Sequence, residues 1–229
     1  MDIDVQKIQC AGVSFTEGLG TKYMKYYEVI RKHYNKELTY AELQKLFETE
    51  IGITNSATRV DIPFLFNSGL VGEYKNDRIK LNDFFTDLGK CFYEILKIKE
   101  LLSENEDEYL QKEIEKINNL IILDSLFYRK LTGNDEYYLK MLRYIYDYGS
   151  IDDKEFYLMI KYEDDKELLE KYRDEYKNKE IEINLINANN TYQYTKRLLV
   201  QANAIIENKE EKRLFLNIKM KDIIEKLLK

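Results

Sequence analysis

Residues 54–81 restrict the fold of this chain more than any other stretch, because helix-forming sequence there passes without a linker into strand-forming sequence. Thr54, Asn55 and Ser56 carry side chains that accept the unpaired N–H groups of a helix start, and Gly69 supplies the left-handed conformation on which helices stop. The segment between them predicts a short helix. Beyond Leu70, residues 71–75 and 78–81 predict two short strands joined at Asn76-Asp77, a pair that tolerates positive φ and turns a hairpin.

The flanking sequence completes a pattern. Tyr23, Tyr27, Ile30 and Tyr34 recur at helical spacing over 21–35. A second helix over 37–50 opens on the capping box Thr39/Glu42 and turns Leu43, Leu46 and Phe47 inward. Asn82-Asp83 caps a further helix to about residue 102. Helix, helix, helix, hairpin, helix is the order of a winged helix, whose third helix enters a major groove while the hairpin touches the backbone. The second half repeats the order, though not the sequence. Helices are expected over 136–148, from Ser150 or Asp152 onward, and over 165–179. Residues 181–186 read as strand or helix. A helix capped within 187–191 then runs to about residue 203, strands over 204–207 and 212–216 flank a turn, and a last helix covers 219–228. The expected fold is mainly α (α+β): two tandem winged-helix-like domains with short β-hairpin wings, joined by a helical connector. The boundaries read as an irregular segment 1–20, a first domain 21–102, a connector 103–134 and a second domain 135–229.

One proline and nine glycines in 229 residues exclude long turn-rich linkers and a β-sandwich. The net charge of −6 argues against a protein that coats nucleic acid, but only a docking face needs positive potential. Cys10 and Cys91 lack metal-ligand spacing and read as reduced thiols of a cytoplasmic protein. No apolar run is long enough to span a bilayer, so no membrane partner is expected. His33, the only histidine, lacks nearby partners and reads as a surface residue. Gly18 to Lys22 reads as a glycine turn with Thr21 as helix cap rather than a phosphate loop.

Projected at about 100° per residue, the helix near 189–203 turns Asn189, Gln193, Lys196, Arg197 and Val200 to one side, with Asn190 at its start. Arg and Lys donate to guanine, Asn and Gln pair with adenine, and Val contacts a thymine methyl. In the first half, Asn55 and Arg59 point outward with Ser56 and Thr58 at the flanks, while Pro63 predicts a kink or a late helix start. Lys75, Arg78 and Lys80 on the first wing, and Lys212 and Arg213 on the second, suit phosphate contact. The expected partner is double-stranded DNA.

The run from Arg59 through Ile62, Pro63, Phe64, Gly69 and Val71, followed by Arg78-Ile79-Lys80-Leu81, resembles winged-helix segments in the DNA-recognition parts of type II, especially type IIS, restriction endonucleases. The resemblance covers roughly residues 20–100 and 135–229. It implies sequence-specific duplex binding by two linked modules, with a nuclease domain or subunit elsewhere that cuts using carboxylates and Mg²⁺. This chain then needs no cofactor of its own, and reads as a recognition fragment or specificity subunit rather than an enzyme. Restriction nucleases commonly use an Asp followed by Glu-x-Lys, and Asp61 with Glu73-Tyr74-Lys75 has that spacing. The string competes with chance in a chain with 34% charged residues. A winged-helix adaptor for another protein, a plasmid replication initiator and a transcriptional regulator are the alternative readings.

Overall fold

The computed structural model describes residues 2–7, 15–75, 77–102, 107–132, 137–187 and 190–229. In chain order it contains β1 (Asp2–Gln6), α1 (Glu17–Lys32), β2 (Glu37–Leu38), α2 (Tyr40–Ile51), α3 (Asn55–Asn67), β3 (Ile79–Lys80), α4 (Asp87–Leu102) and α5 (Glu108–Thr132). Then come α6 (Tyr137–Tyr148), β4 (Ser150–Ile151), α7 (Asp153–Lys161), α8 (Lys166–Lys177), β5 (Glu182–Ile186), α9 (Thr191–Gln201), β6 (Ile205–Asn208), β7 (Arg213–Leu216) and α10 (Lys221–Leu228). The protein is mainly α with small sheets. No described helix is long and apolar enough to cross a membrane. The elements form two units: a central one, Val13–Asn134, and a split one that joins Met1–Gly12 to Asp135–Lys229.

In the central unit, the Thr16 hydroxyl caps α1 by accepting from the Leu19 N–H at 3.1 Å, so the helix opens four residues before the expected cap at Thr21. Tyr23, Tyr26, Val29 and Ile30 of α1 are buried. The Tyr23 hydroxyl donates to the Gly89 carbonyl at 2.8 Å, fastening α1 to the first turn of α4. A Cβ on Gly89 would stand 2.0 Å from the Leu70 carbonyl oxygen, so only glycine admits this approach. The Thr39/Glu42 capping box of α2 is present, and Gly52 at φ 67° ends the helix. α3 runs unbroken through Pro63, which removes only the one backbone bond that its missing N–H would make. α5 packs on α3 and α4 and gives the unit Ile121, Ile122, Leu123 and Leu126, so the segment read as a connector is part of this core. His33 contacts Glu50.

The first wing and the first twenty residues also depart from expectation. The first wing is not a hairpin of residues 71–75 on 78–81. β3 pairs antiparallel with β2, Glu37 opposite Lys80 and Leu38 opposite Ile79, while Val71 bridges Phe85 and the Gly72 N–H donates to the Phe84 carbonyl at 2.7 Å. Glu73 causes the departure: its Oε1 accepts the N–H groups of Tyr74 (3.0 Å) and Lys75 (2.8 Å), which curls the chain out of strand geometry. Tyr74 then packs inward against Tyr40 and Phe66. Asn76, half of the expected turn, lies outside the described residues. The second correction concerns residues 1–20, read as irregular, where Asp2–Gln6 form β1 and α1 has begun by Glu17.

β1 pairs in parallel with β5, Asp2 opposite Glu182 and Gln6 opposite Ile186. Ile3, Val5 and Ile183 are buried as the sheet packs on α7. The rest of the split unit surrounds a three-stranded antiparallel sheet in the order β4-β7-β6. Tyr138, Met141, Leu142 and Ile145 of α6 pack with α7, α9 and the sheet, and α10 closes over α6. β6 and β7 occur where the sequence places strands. The Asn208 carboxamide oxygen accepts the N–H groups of Glu210 and Glu211 at 3.1 and 3.2 Å and rounds off their turn.

Candidate nucleic-acid interface

The start of α9 is set from inside. The buried Tyr157 hydroxyl accepts the Tyr192 N–H at 3.1 Å, a cap from a neighbouring helix, and the Asn190 side chain makes no capping bond. Tyr192, Thr195, Leu198 and Leu199 are buried. Asn190, Gln193, Arg197 and Val200 are all exposed and follow one another at intervals of three, four and three residues, a single line along the helix. Lys196 leaves that line. Its ammonium lies 2.8 Å from Glu207 of β6 and above the Tyr192 ring, so its charge is already matched. Asn189 lies outside the described residues.

Lys212 is exposed at the end of the β6–β7 turn, with a φ of 54°. Arg213 faces the other way and is corrected from a phosphate contact to an internal one. Its Nε donates to the Ser150 hydroxyl at 3.0 Å, Nη2 to the Ser150 carbonyl at 3.1 Å and to Glu155, and Nη1 lies 3.5 Å from Asp152. Glu155 has no exposure, and its second oxygen lies 3.4 Å from Arg173 Nε. Arg173 in turn donates to the Tyr148 carbonyl and lies over the Tyr148 ring. The Tyr176 hydroxyl donates to Asp152 at 3.1 Å, and burial together with that carboxylate holds it well above the ordinary tyrosine range. This buried ionic group ties β4, α7, α8 and β7 together. In the sequence its only local trace is Asp152 followed three residues later by Glu155, the α7 capping box.

In the central unit, the exposed face of α3 is confined to its first two turns, with Asn55, Ser56, Arg59 and Val60. Val60 was not singled out in the sequence. Thr58 is corrected: it is fully buried, and its hydroxyl donates to the Thr54 carbonyl at 3.1 Å. The loop after α3 exposes Lys75, Arg78 and Lys80 among the acids Glu73 and Asp77, with Glu37 opposite Lys80 across the β2–β3 pair and Glu42 within reach of the Arg78 charge. The matching turn of the split unit, with Glu207, Lys209, Glu210, Glu211 and Lys212, is slightly acidic.

Asp61, Glu73 and Lys75 are not brought into one working arrangement. Asp61 is buried, its Oδ2 accepting from Lys22 Nζ at 2.7 Å and from the Tyr26 hydroxyl at 3.0 Å. Burial first, and Asp61 second, push Tyr26 far above the usual tyrosine range. Glu73 Oε1 accepts the N–H groups of Tyr74 and Lys75, while Glu73 and Lys75 are exposed and Asp61 is buried. Among the described residues no three His, Cys, Asp or Glu side chains converge where a metal would sit. Comparison with known protein families, curated proteins and solved structures finds no match.

Proposed function

We propose that the chain binds duplex DNA sequence-specifically through two winged-helix modules, as the recognition fragment or specificity subunit of a type II restriction system whose nuclease domain lies elsewhere. The observation that carries this reading is the line Asn190, Gln193, Arg197 and Val200 on a helix that runs directly into the β6–β7 ribbon. An amide, a second amide, a guanidinium and a branched apolar group in sequence match the donors, acceptors and methyl groups of a major groove. The order α6, β4, α7 and then, after the intervening α8 and β5, α9, β6, β7, with the sheet order β4-β7-β6, supports the winged-helix reading, as does the order α1, β2, α2, α3, β3 in the central unit. Arg59, Lys75, Arg78 and Lys80 supply exposed cations for backbone contact in the central unit.

Selection of bound duplexes from a random pool by the purified chain tests the proposal. A consensus is expected. Arg197→Ala and Gln193→Ala each lower discrimination at one base pair by about 1–3 kcal/mol. Lys80→Ala weakens all duplexes alike and reduces the salt slope by about one phosphate. An unenriched pool, or equal binding by wild type and all three variants, overturns it.

A further inference from the structure

α5 buries one side in the central unit and leaves the other uncovered among the described residues. Its outward residues include Tyr109, Leu120 and Leu131, exposed by 73, 57 and 83%, with Ile117 exposed by 42%. Helices of globular proteins do not ordinarily carry such a line to solvent. The helix is 25 residues long, about 37 Å at its standard rise, so the line is as long as a small domain is wide.

We infer that a second copy of this chain covers it, α5 against α5 in opposite directions about a two-fold axis at Leu120. The charges select this arrangement. Lys116 lies four residues before Leu120 and Asp124 four residues after, on the same inclined row of the helix. Packing such rows into the grooves between the i±3 rows of a facing helix keeps the two axes within about 20° of antiparallel, so contact can run the length of both helices. Antiparallel pairing about Leu120 sets Lys116 of each copy against Asp124 of the other, twice by symmetry. The same register sets Tyr109 against Leu131, the two most exposed large apolar side chains on the helix, because they lie equally far from Leu120. Parallel pairing instead stacks Asp124 on Asp124 and Glu113 on Glu113. Lys116 already lies 2.6 Å from Glu113 within its own helix, which it would share with the partner's carboxylate, whereas Asp124 has no ion-pair partner among the described residues. One helix per copy buries less than a large obligate interface, so the dimer dissociates on dilution.

The inference rests on α5 alone and is tested without DNA. Sedimentation velocity of the full chain from about 1 to 100 μM is expected to show reversible monomer–dimer exchange. Leu120→Arg, at an exposed position, is expected to keep the circular dichroism of the wild type and stay monomeric throughout. Lys116→Asp and Asp124→Lys each raise the dimer dissociation constant about five- to tenfold, and the double exchange restores it. A wild type that remains monomeric at the highest concentration overturns the inference, whether the other unit or a different protein covers the line. A Leu120→Arg variant that still dimerises overturns it too, as does a double exchange that recovers nothing.

Discussion

Glu155 shows how much a residue's role depends on partners that are distant in the chain. Its carboxylate is cut off from water between Arg173 and Arg213, the latter 58 positions away. Removing one member of such a group leaves its partners charged and unmatched in a poorly polarisable interior. Glu155→Ala is therefore expected to destabilise the split unit by about 3–5 kcal/mol, measured by urea unfolding. In sequence Lys212 and Arg213 are two adjacent cations with equal claim to a phosphate. Lys212 ends the turn at positive φ and is exposed, whereas Arg213 opens β7 and turns onto Ser150 and Glu155, and no local pattern in the sequence distinguishes them. The polar line of α9 was legible, because helical spacing alone sorts Gln193 and Arg197 from Leu198. Lys196 was misjudged because Glu207 sits on a different element. Tyr40 offers a pH test. Burial, and the nearby Tyr74, push its hydroxyl up to about 12 from the ordinary 10. The folded state thus holds a proton that the unfolded chain begins to release near pH 10. The contribution to stability is complete below pH 10 and disappears as pH rises toward 12. Tyr40→Phe should flatten that part of the stability profile, read from denaturation midpoints between pH 9 and about 12.

Elements whose signals are local came through the sequence reading well. The Thr39/Glu42 cap and the strands around the Asn208 turn both depend on neighbours within a few positions. α3 survives Pro63 because tertiary burial of Ile62, Phe64 and Leu65 outweighs one lost backbone bond. The first wing misled for the opposite reason. Its residues suit strands, but Glu73 takes two backbone N–H groups and β3 finds its partner in β2, forty residues earlier. The fit between α4 and the chain after α3 is close enough to test with one methyl group. Gly89→Ala places a carbon against the Leu70 carbonyl and 2.7 Å from the Tyr23 hydroxyl. We expect a loss of about 3 kcal/mol or more in the central unit, seen as a lowered thermal transition, with the split unit unaffected.

At the scale of the whole molecule, the division of the chain was the part least legible from its order of elements. Helix and strand signals name the pieces in sequence, but nothing in Asp2–Gln6 announces that its partner is Glu182–Ile186. That pairing assigns the first strand to the unit formed mainly by the last ninety-five residues. Ile3 and Val5 are buried there, each worth about 1.5–3 kcal/mol. Deleting residues 1–7 should lower the transition of the split unit by several degrees and leave that of the central unit in place, as calorimetry would show. The pairing also sets a timetable for synthesis. A ribosome releases β1 roughly 10–40 s before its partner β5, at ordinary elongation rates. The whole central unit emerges during that wait. A nascent chain of this protein therefore carries an unpaired strand, with Ile3 and Val5 uncovered, ahead of a middle that is already folding, and a chaperone that holds extended segments would find its substrate there.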